Sequence, residues 1–362
     1  MRRAVRVVAS LAFAGLVVVV PAVGQVSGAI VQWGWNPFGE YNVPAPNTGF
    51  VDVVSGWYHG LGLKADGSIV AWGYNANGQC GVPEPNADFV AVATGQLHSL
   101  GLKVDGAIVA WGDNATGQCS VPEPNVDFVA VVGGRWHTLG LKADGSIVAW
   151  GSNTRGQCTV PVPNTGFVAV AAGDDHSLGL KADGSIVAWG DNTWEQCNVP
   201  VPNTGFVAVA GGGLHSVGLK IDGSIVAWGR NWEGQCSVPA PNSNFVGVAA
   251  GLYHNLGLKR DRSIVGWGAN GRGQCNVPAP NTGFAAVAAG SFYSLGLVIR
   301  GDLNCDGAVD TGDIDAFVLA LTSGVGYQAA YPSCNRDLAD CNGDGFVDTA
   351  DIDAFVTLIV GT

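Results

Sequence analysis

The stretch FVAVAAGDDHSLGLKADGSIVAWG, residues 167–190, recurs through most of the chain and decides its fold. It contains three short β-prone runs, and Asp183-Gly184 between the second and third runs is a tight-hairpin signal. The tryptophan before the final glycine returns every 39 residues, at Trp33, Trp72, Trp111, Trp150, Trp189, Trp228 and Trp267. A fixed period without insertions predicts a stacked or closed array of one supersecondary unit.

The two ends of the repeat region indicate that the array is closed. The region begins with a third strand, residues 30–33, and ends with a second strand, residues 295–299. Pairing these ends removes both exposed sheet edges, which an open solenoid cannot do. The sequence therefore predicts an all-β, seven-bladed β-propeller over residues 25–300. Its 39-residue blades have three to four strands, with a fourth short strand at residues 196–199, and one blade is shared between the termini.

The repeat also carries a family resemblance. The pattern AGxxHSLGLKADGSIVAWGxNxxGQC resembles the repeat of the regulator of chromosome condensation family. The compact unit and its Ala-Trp-Gly are more similar to the secreted β-lactamase inhibitor propellers. The resemblance covers residues 28–299 and implies the propeller fold, but it implies little about function because propellers host many activities. A net charge of −12 counts against nucleic acid as a partner, since phosphates require a basic footprint.

The N-terminus has the features of a secretory signal. Arg2, Arg3 and Arg6 precede an apolar run over residues 7–20, and small residues follow at 22–24. This pattern predicts a signal peptide over residues 1–24, with an uncleaved anchor or a buried first strand as the alternatives. The protein is therefore expected to be secreted, extracellular or associated with the cell surface, and no later stretch is long enough to span a membrane.

Two stretches vary from unit to unit, one before each repeated histidine and one after each Trp-Gly. Strand parity places both stretches at the same end of the propeller, where they are rich in Trp, Tyr and Arg. That composition is typical of binding hot spots and predicts a protein or glycan ligand, although drift in loops and plugging of the central channel are the alternatives. The candidate ligand-binding residues are Trp35, Trp57, Tyr58, Tyr74, Arg135, Trp136, Asp174, Asp175, Trp194, Trp232 and Tyr253.

Histidine and cysteine recur with the blades. Six units have a histidine at one position, with Tyr293 in the seventh unit, and we expect these imidazoles to hydrogen-bond the backbone between blades rather than to form a metal ring. Six units also have a cysteine after the glutamine. Equivalent positions on a seven-fold ring exceed the distance that a disulfide spans, so free buried thiols are expected.

Residues 301–362 have a different composition, with eleven Asp and a single basic residue, Arg336. Two loops, 38 residues apart, place oxygen ligands in the order of a calcium loop, with glycine at the sixth position. This predicts two bound Ca²⁺ ions. The candidate ligands are Asp302, Asn304, Asp306, Ala308, Asp310 and Asp313 in the first loop, and Asp340, Asn342, Asp344, Phe346, Asp348 and Asp351 in the second. Ala308 and Phe346 would contribute their carbonyl oxygens.

Each loop leads into a short helix with an apolar stripe, Ile314, Phe317, Val318 and Leu321 in one and Ile352, Phe355, Val356 and Ile359 in the other. We expect the two stripes to bury each other. This paired layout resembles a type I dockerin, which implies a small α-helical calcium domain over residues 301–362 and a cohesin-like protein partner. The tail departs from that family in its cysteines. We expect a Cys305–Cys334 disulfide and leave the pairing of Cys341 open.

These features favour a secreted, non-enzymatic recognition or scaffold propeller, tethered through its calcium-binding tail. One alternative is a component of extracellular polysaccharide degradation, either carbohydrate-binding or glycan-active. Another is an inhibitor of β-lactamases or cell-wall enzymes. Catalysis is disfavoured because no acid/base pair is distinguishable by spacing and every histidine is a repeat position. The last strand runs away from the variable end, so the tail should leave from the opposite end.

Overall fold

The computed structural model describes residues 28–40, 42–279, 281–305, 309–332, 334, 336–342 and 346–360. The predicted signal peptide lies outside them. The strands are β1 Ala29–Gly34, β2 Phe50–Ser55, β3 His59–Lys64, β4 Ile69–Gly73, β5 Phe89–Thr94, β6 His98–Lys103, β7 Ile108–Gly112, β8 Phe128–Gly133, β9 His137–Lys142, β10 Ile147–Gly151, β11 Phe167–Ala172, β12 His176–Lys181, β13 Ile186–Gly190, β14 Phe206–Gly211, β15 His215–Lys220, β16 Ile225–Gly229, β17 Phe245–Ala250, β18 His254–Lys259, β19 Ile264–Gly268, β20 Phe284–Ala289 and β21 Tyr293–Val298.

The strands form seven three-stranded antiparallel sheets, which are the blades. Six sheets consist of consecutive strands, whereas the seventh has the order β1-β21-β20 and joins the two ends of the repeat region. Its register runs from Ala29 opposite Val298 to Gly34 opposite Tyr293. On its other side, β20 and β21 pack against β2 of the first complete blade. The predicted shared blade is therefore present and closes the ring.

Within each blade the buried positions follow the repeat. The phenylalanine that opens the first strand, the leucines of the second strand and the tryptophan of the third strand are buried in every complete blade. In the second strand, a Cβ at Gly179 would lie 2.4 Å from the Phe167 ring, so only glycine admits that ring. The recurring Leu-Gly-Leu of this strand is thus a packing requirement of the recurring phenylalanine.

The predicted fourth strand does not form. Residues 196 and 197 make a turn instead, in which Cys197 N–H donates to Asn192 Oδ1 and Asn198 N–H donates to the Glu195 carbonyl. An asparagine side chain takes the place of the missing strand. Asn203 Oδ1 accepts from Ile186 N–H at 2.8 Å, and its Nδ2 donates to the Ile186 carbonyl at 2.8 Å. The equivalent asparagine makes both bonds in all seven blades. It therefore bonds the backbone N–H and carbonyl of the isoleucine at the outer edge of the third strand, which no fourth strand pairs.

Replacing one of these asparagines should destabilise the propeller. Asn164→Ala removes both bonds to the half-buried backbone of Ile147. We expect a loss of about 1–3 kcal/mol in the free energy of unfolding, measured by chemical denaturation. The exposed neighbour Thr165 supplies the matched control, because Thr165→Ala should change stability by less than about 0.5 kcal/mol. Equal stabilities of the two variants would show that the asparagine does not replace a strand.

Hydrogen bonds of the repeated histidines connect successive blades, but their direct partners are side chains rather than the expected backbone. His137 Nε2 lies 3.0 Å from Ser177 Oγ of the next blade, and that hydroxyl donates to the Gln157 carbonyl at 2.8 Å. Trp189 Nε1 donates to the same carbonyl. Because the hydroxyl proton is already donated, the imidazole must be the donor, with its proton on Nε2. The described residues contain no cluster of three metal-ligating side chains.

All six repeated cysteines are free, as expected, but they are half-buried rather than buried. The sulfur of Cys119 lies 3.2 Å from the carbonyl oxygen of Asp113, and the other five have the same partner position. Burial raises the pKa of the Cys119 thiol to about 12, so these thiols are poor nucleophiles at neutral pH.

The tail contains three short α-helices, α1 Ile314–Thr322, α2 Gly324–Ala330 and α3 Asp351–Val360, with 3-10 turns at Thr311–Asp313 and Arg336–Ala339. The predicted Cys305–Cys334 disulfide is present, and Cys341 is free. Phe317 of one stripe and Phe355 of the other stack at a ring-centre distance of 3.8 Å. The expectation of full burial was wrong because α2 and the Arg336–Ala339 turn contribute to the small core; Ile314, Val318, Ile352 and Val356 remain exposed.

The tail packs against one edge of the propeller. Arg262, in the turn between β18 and β19, pairs with Asp302 at 2.7 Å, and Arg300, just after β21, pairs with Asp340 at 3.0 Å. That turn belongs to the end of the propeller opposite the variable stretches, as the strand direction predicts. None of the helices in the described part of the chain is long and apolar enough to cross a bilayer.

Candidate functional site

The two variable stretches of each blade lie side by side. Backbone bonds connect them, for example Tyr74 N–H to the Tyr58 carbonyl at 2.8 Å and Ser152 N–H to the Trp136 carbonyl at 2.8 Å. The same bond recurs in all seven blades. We call this end of the propeller the variable end. The constant end carries the turns between the second and third strands, such as Lys142-Ala143-Asp144-Gly145.

A ring of residues surrounds the central channel at the variable end, one from each blade. Its members are Trp57, Gln96, Arg135, Asp174, Gly213, Leu252 and Ser291. The first six line a small cavity of about 50 Å³ whose wall is otherwise mainly glycine. Arg135 Nε donates to Gln96 Oε1 at 3.2 Å, and its guanidinium lies 5.4 Å from the Trp57 ring centre. The backbone N–H of Arg135 donates to the Asp174 carbonyl at 3.0 Å. These contacts connect four blades across the channel mouth.

Two adjacent carboxyl groups at this mouth have raised pKa values. Burial raises the pKa of Asp174 to about 7, with Asp175 adding to the rise and Arg135 opposing it. The pKa of Asp175 is also raised, mainly by burial, and Asp191 contributes. Near neutral pH the Asp174 carboxyl therefore changes between a hydrogen-bond donor and an anion. The charge at this end of the channel changes accordingly.

One aromatic cluster spans the shared blade and the first complete blade. Phe38 contacts Tyr58 and Tyr74 edge-on, at ring-centre distances of 5.4 and 5.2 Å. Nearby, the Trp35 ring meets Phe292 edge-on at 5.8 Å and lies 4.8 Å from the Arg272 guanidinium. Three of the predicted ligand-binding residues, Trp35, Tyr58 and Tyr74, are thus half-buried members of this cluster.

A second aromatic cluster lies between the fourth and sixth blades. Trp194 and Trp232 meet edge-on at 4.7 Å, and the Trp232 side chain is 69% exposed. The Arg230 guanidinium lies 4.4 Å from the Trp232 ring centre and 4.9 Å from that of Tyr253. An exposed indole supported by a cation presents a flat apolar surface to solvent, which is a suitable contact for a partner.

The structure therefore assigns the predicted residues to two clusters and one ring. Trp136 lies beside the ring, with the Arg135 guanidinium 5.5 Å from its indole. Five further residues of the variable stretches belong to these clusters and the ring although they were not among the candidate ligand-binding residues: Phe38, Gln96, Arg230, Arg272 and Phe292. Two other carboxylates of this end, Asp113 and Asp191, accept from the glutamine amides five residues later at 2.7 Å and therefore have a structural role.

In the tail, the described residues of the two predicted calcium loops make similar hydrogen bonds. Asp313 accepts from the backbone N–H groups of Leu303 and Asn304 at 2.6 and 2.9 Å and from that of Asp310 at 3.0 Å. Asp351 likewise accepts from the N–H groups of Asn342 and Asp348 at 3.0 Å. Asp310 and Asp348 accept from the backbone two residues later. Asp306, Ala308 and Asp344 lie outside the described residues.

The donor set of these loops fits a calcium ion. Asp302, Asp313, Asp340 and Asp351 are between 0 and 7% exposed. Asp302 and Asp340 are each paired with an arginine, and Asp313 and Asp351 accept from backbone N–H groups; carboxylate oxygens are also the ligands that calcium prefers. The Phe346 side chain is 69% exposed, which agrees with a role for its carbonyl alone.

Comparison with known proteins identifies the repeats. The family model of the regulator of chromosome condensation (RCC1) repeat matches residues 50–79, 89–118, 128–157, 167–193, 206–235 and 245–274. Each match begins at the first residue of a blade's first strand, and the tail lies outside them. No curated protein matches this chain.

Solved structures share the propeller. Prp20p from Saccharomyces cerevisiae is 18% identical, with a TM-score of 0.65 over 77% of this chain and 93% of that one. Human WBSCR16 is 18% identical, with a TM-score of 0.58 over 75% and 98%. The ectodomain of the Physcomitrella patens receptor kinase CR4 is 24% identical, with a TM-score of 0.59 over 68% and 70%. At these identities the likeness establishes the fold alone. The chain thus carries six RCC1 repeats within a propeller of the fold seen in Prp20p.

Proposed function

We propose that this protein is a secreted, non-enzymatic recognition propeller that binds a ligand at its variable end and is tethered through two calcium loops in its tail. The observation that carries the proposal is the contrast between the two ends of one repeat. The blades share one backbone structure at both ends. At the variable end, however, the ring position carries a different side chain in every blade. The side chains of this end include an exposed indole and make several arginine–aromatic contacts.

The constant end supports this division of roles. Its repeated lysines are engaged within the blade. Lys142 Nζ lies 3.7 Å from the Phe128 ring centre and donates to the Pro124 carbonyl at 3.0 Å. Equivalent contacts occur in five further blades. Residues that recur in every blade therefore stabilise the blade, and residues that change between blades are available for recognition.

The tail supplies the proposed tether. Calcium would be held by the carboxylates of Asp302, Asp313, Asp340 and Asp351 with the other oxygens of the two loops, and it would supply the positive charge that draws these groups together. The exposed residues Ile314 and Val318 on α1 have equivalents, Ile352 and Val356, on α3. These two equivalent apolar stripes are suited to a protein partner of the cohesin type. The attachment at the constant end directs the variable end away from the tether.

The proposal is tested by ligand capture with the full mature chain. We expect binding on a glycan array, or to a panel of secreted proteins that includes β-lactamases, and Trp232→Ala and Trp136→Ala should weaken it about tenfold or more. A response on the array would support a role in polysaccharide breakdown, whereas inhibition of a β-lactamase would support an inhibitor. Chelation of calcium should abolish capture through the tail and leave the propeller ligand bound.

Matched controls are available at the constant end. Val104 and Ile221 are 62% and 81% exposed in two of its turns. Val104→Ala and Ile221→Ala also remove exposed apolar side-chain atoms, but at the constant end, and should leave ligand capture unchanged. If these variants lost the ligand while Trp232→Ala and Trp136→Ala kept it, the assignment of the binding surface to the variable end would be wrong.

A further inference from the structure

The turns of the constant end follow one pattern, and two of them break it. Five turns end in Asp-Gly, at residues 66–67, 105–106, 144–145, 183–184 and 222–223. The sixth reads Asp261-Arg262, and at the equivalent place in the seventh unit the chain reads Arg300-Gly301. In each of these two turns an arginine replaces one residue of the Asp-Gly pair, and both arginines, Arg262 and Arg300, lie beside the tail.

Arg262 occupies a position whose backbone favours glycine. Its φ is +64°, whereas the glycines at this position in the other turns have φ values between +78° and +91°. A residue with a Cβ is strained in this region, so the arginine makes the backbone of this turn less stable than glycine would. Its neighbour Arg260 occupies a position where other turns have Ala, Val or Ile, and its side chain is exposed.

Both arginines pair with the first ligand of a predicted calcium loop. Arg262 Nη1 lies 2.7 Å from Asp302 Oδ2, and that carboxylate is 1% exposed. Arg300 Nη1 lies 3.0 Å from Asp340 Oδ2 and also donates to the Asp340 carbonyl. The two pairs are equivalent, since Asp302 and Asp340 hold the same position in their loops. The two arginines that depart from the repeat therefore make the same kind of contact, an ion pair with the first aspartate of a predicted loop.

We infer that Arg262 and Arg300 complete the two calcium loops from the propeller side, so that calcium binding and the docking of the tail on the constant end reinforce each other. A carboxylate ligand is oriented by the groups that hold its second oxygen, and loss of such a group typically weakens metal affinity by about ten- to hundredfold. Coupling of this kind is reciprocal, so calcium must also strengthen the contact between tail and propeller. The inference rests on the calcium loops of the proposed function.

The test is calorimetric titration of the full chain with calcium alone. The wild-type chain should take up two ions. Arg262→Gly, which restores the glycine of the other turns and relieves the backbone strain, should weaken one of the two binding events by about tenfold or more. Arg300→Gln should weaken the other event. In each variant the unaffected loop serves as an internal reference, and it shows that the tail is folded.

Arg260→Ala is the matched control, because it removes the same charge from the same turn without a contact to the tail, and its affinities should equal those of the wild type. Amide exchange at Gly301, whose N–H bonds to Leu338, should slow on addition of calcium in the wild type but not in Arg262→Gly. Unchanged calcium uptake in both Arg262→Gly and Arg300→Gln would overturn this inference alone. A wild-type chain that takes up no calcium would overturn the calcium proposal as well.

Discussion

Lowering the pH from 7 to 5 is expected to reduce the free energy of unfolding of the propeller by several kcal/mol. Burial lowers the pKa of His59, His137, His176 and His254 to about 3, and that of His98 and His215 to about 4. These imidazoles stay neutral in the folded chain, whereas an unfolded histidine takes up a proton below a pKa of about 6.5. Because the unfolded chain then binds more protons, stability falls as the pH falls from 6.5 towards 4, by about 2 kcal/mol per histidine at pH 5.

Carboxyl groups whose pKa burial raises act in the opposite direction, most strongly Asp52 and Asp174 and less strongly Asp175 and Glu40. Burial raises the pKa of Asp52 to about 8 and that of Asp174 to about 7. Between an unfolded pKa of about 4 and these values, the folded chain holds protons that the unfolded chain has released, so their contribution to stability falls as the pH rises. Six histidines less these carboxyls leave a net uptake of about two to four protons on unfolding near pH 5. This net uptake still makes acid strongly destabilising.

The measurement is denaturant unfolding at pH 7, 6 and 5, where the slope of stability against pH gives the number of protons taken up. His176→Gln is an informative variant, since a glutamine amide can donate to Ser216 in place of the imidazole. Its slope should be smaller by about one proton. A stability that does not change between pH 7 and pH 5 would contradict the neutral, buried state assigned to the histidines.

The sequence predicts the propeller well because its information is periodic. The 39-residue step gives the strands, and the unmatched strands at its two ends give the shared blade. Strand parity likewise places Tyr58 and Tyr74 at one end. The fourth strand was mispredicted because the asparagine that replaces it, such as Asn203, is distant in sequence from the isoleucine edge that it satisfies. The strand propensity of residues 196–199 contains no information about that contact.

In the tail, the sequence was sufficient for the disulfide but not for packing. An apolar stripe on a helix predicts burial only when a partner covers it, and here α1 and α3 meet through Phe317 and Phe355 while Ile314 and Ile352 remain exposed. The roles of Arg262 and Arg300 have a sequence signal, since both break the turn pattern. The partners of these arginines depend on where the tail lies, and the repeat does not specify the position of the tail.

The closure of the ring should be its most sensitive point, and Tyr293→Ala is expected to reduce the free energy of unfolding by about 3–5 kcal/mol. Tyr293 replaces the repeated histidine in the shared blade and is 1% exposed. Its hydroxyl donates to the His59 and Gly56 carbonyls of the first complete blade at 2.6 and 3.2 Å. In the first complete blade, Gly60 occupies the position of the serine that bonds the preceding blade's histidine elsewhere in the ring. A Cβ at Gly60 would lie 2.5 Å from the Trp72 ring. The tyrosine and the glycine therefore compensate for each other at this one junction.

Two variants separate the ring of Tyr293 from its hydroxyl. Tyr293→Phe keeps the packing and removes one donor, so a loss of about 1 kcal/mol is expected, because the His59 carbonyl still accepts from Gly56 N–H at 2.8 Å. Tyr253→Ala truncates a half-buried tyrosine at the variable end and should cost less than Tyr293→Ala. Since β1 is held in the ring chiefly through β21, amide exchange in Tyr293→Ala should rise first in these two strands. If Tyr293→Ala were as stable as Tyr253→Ala, or if exchange rose equally in all blades, the junction would be no weaker than the other six blade contacts.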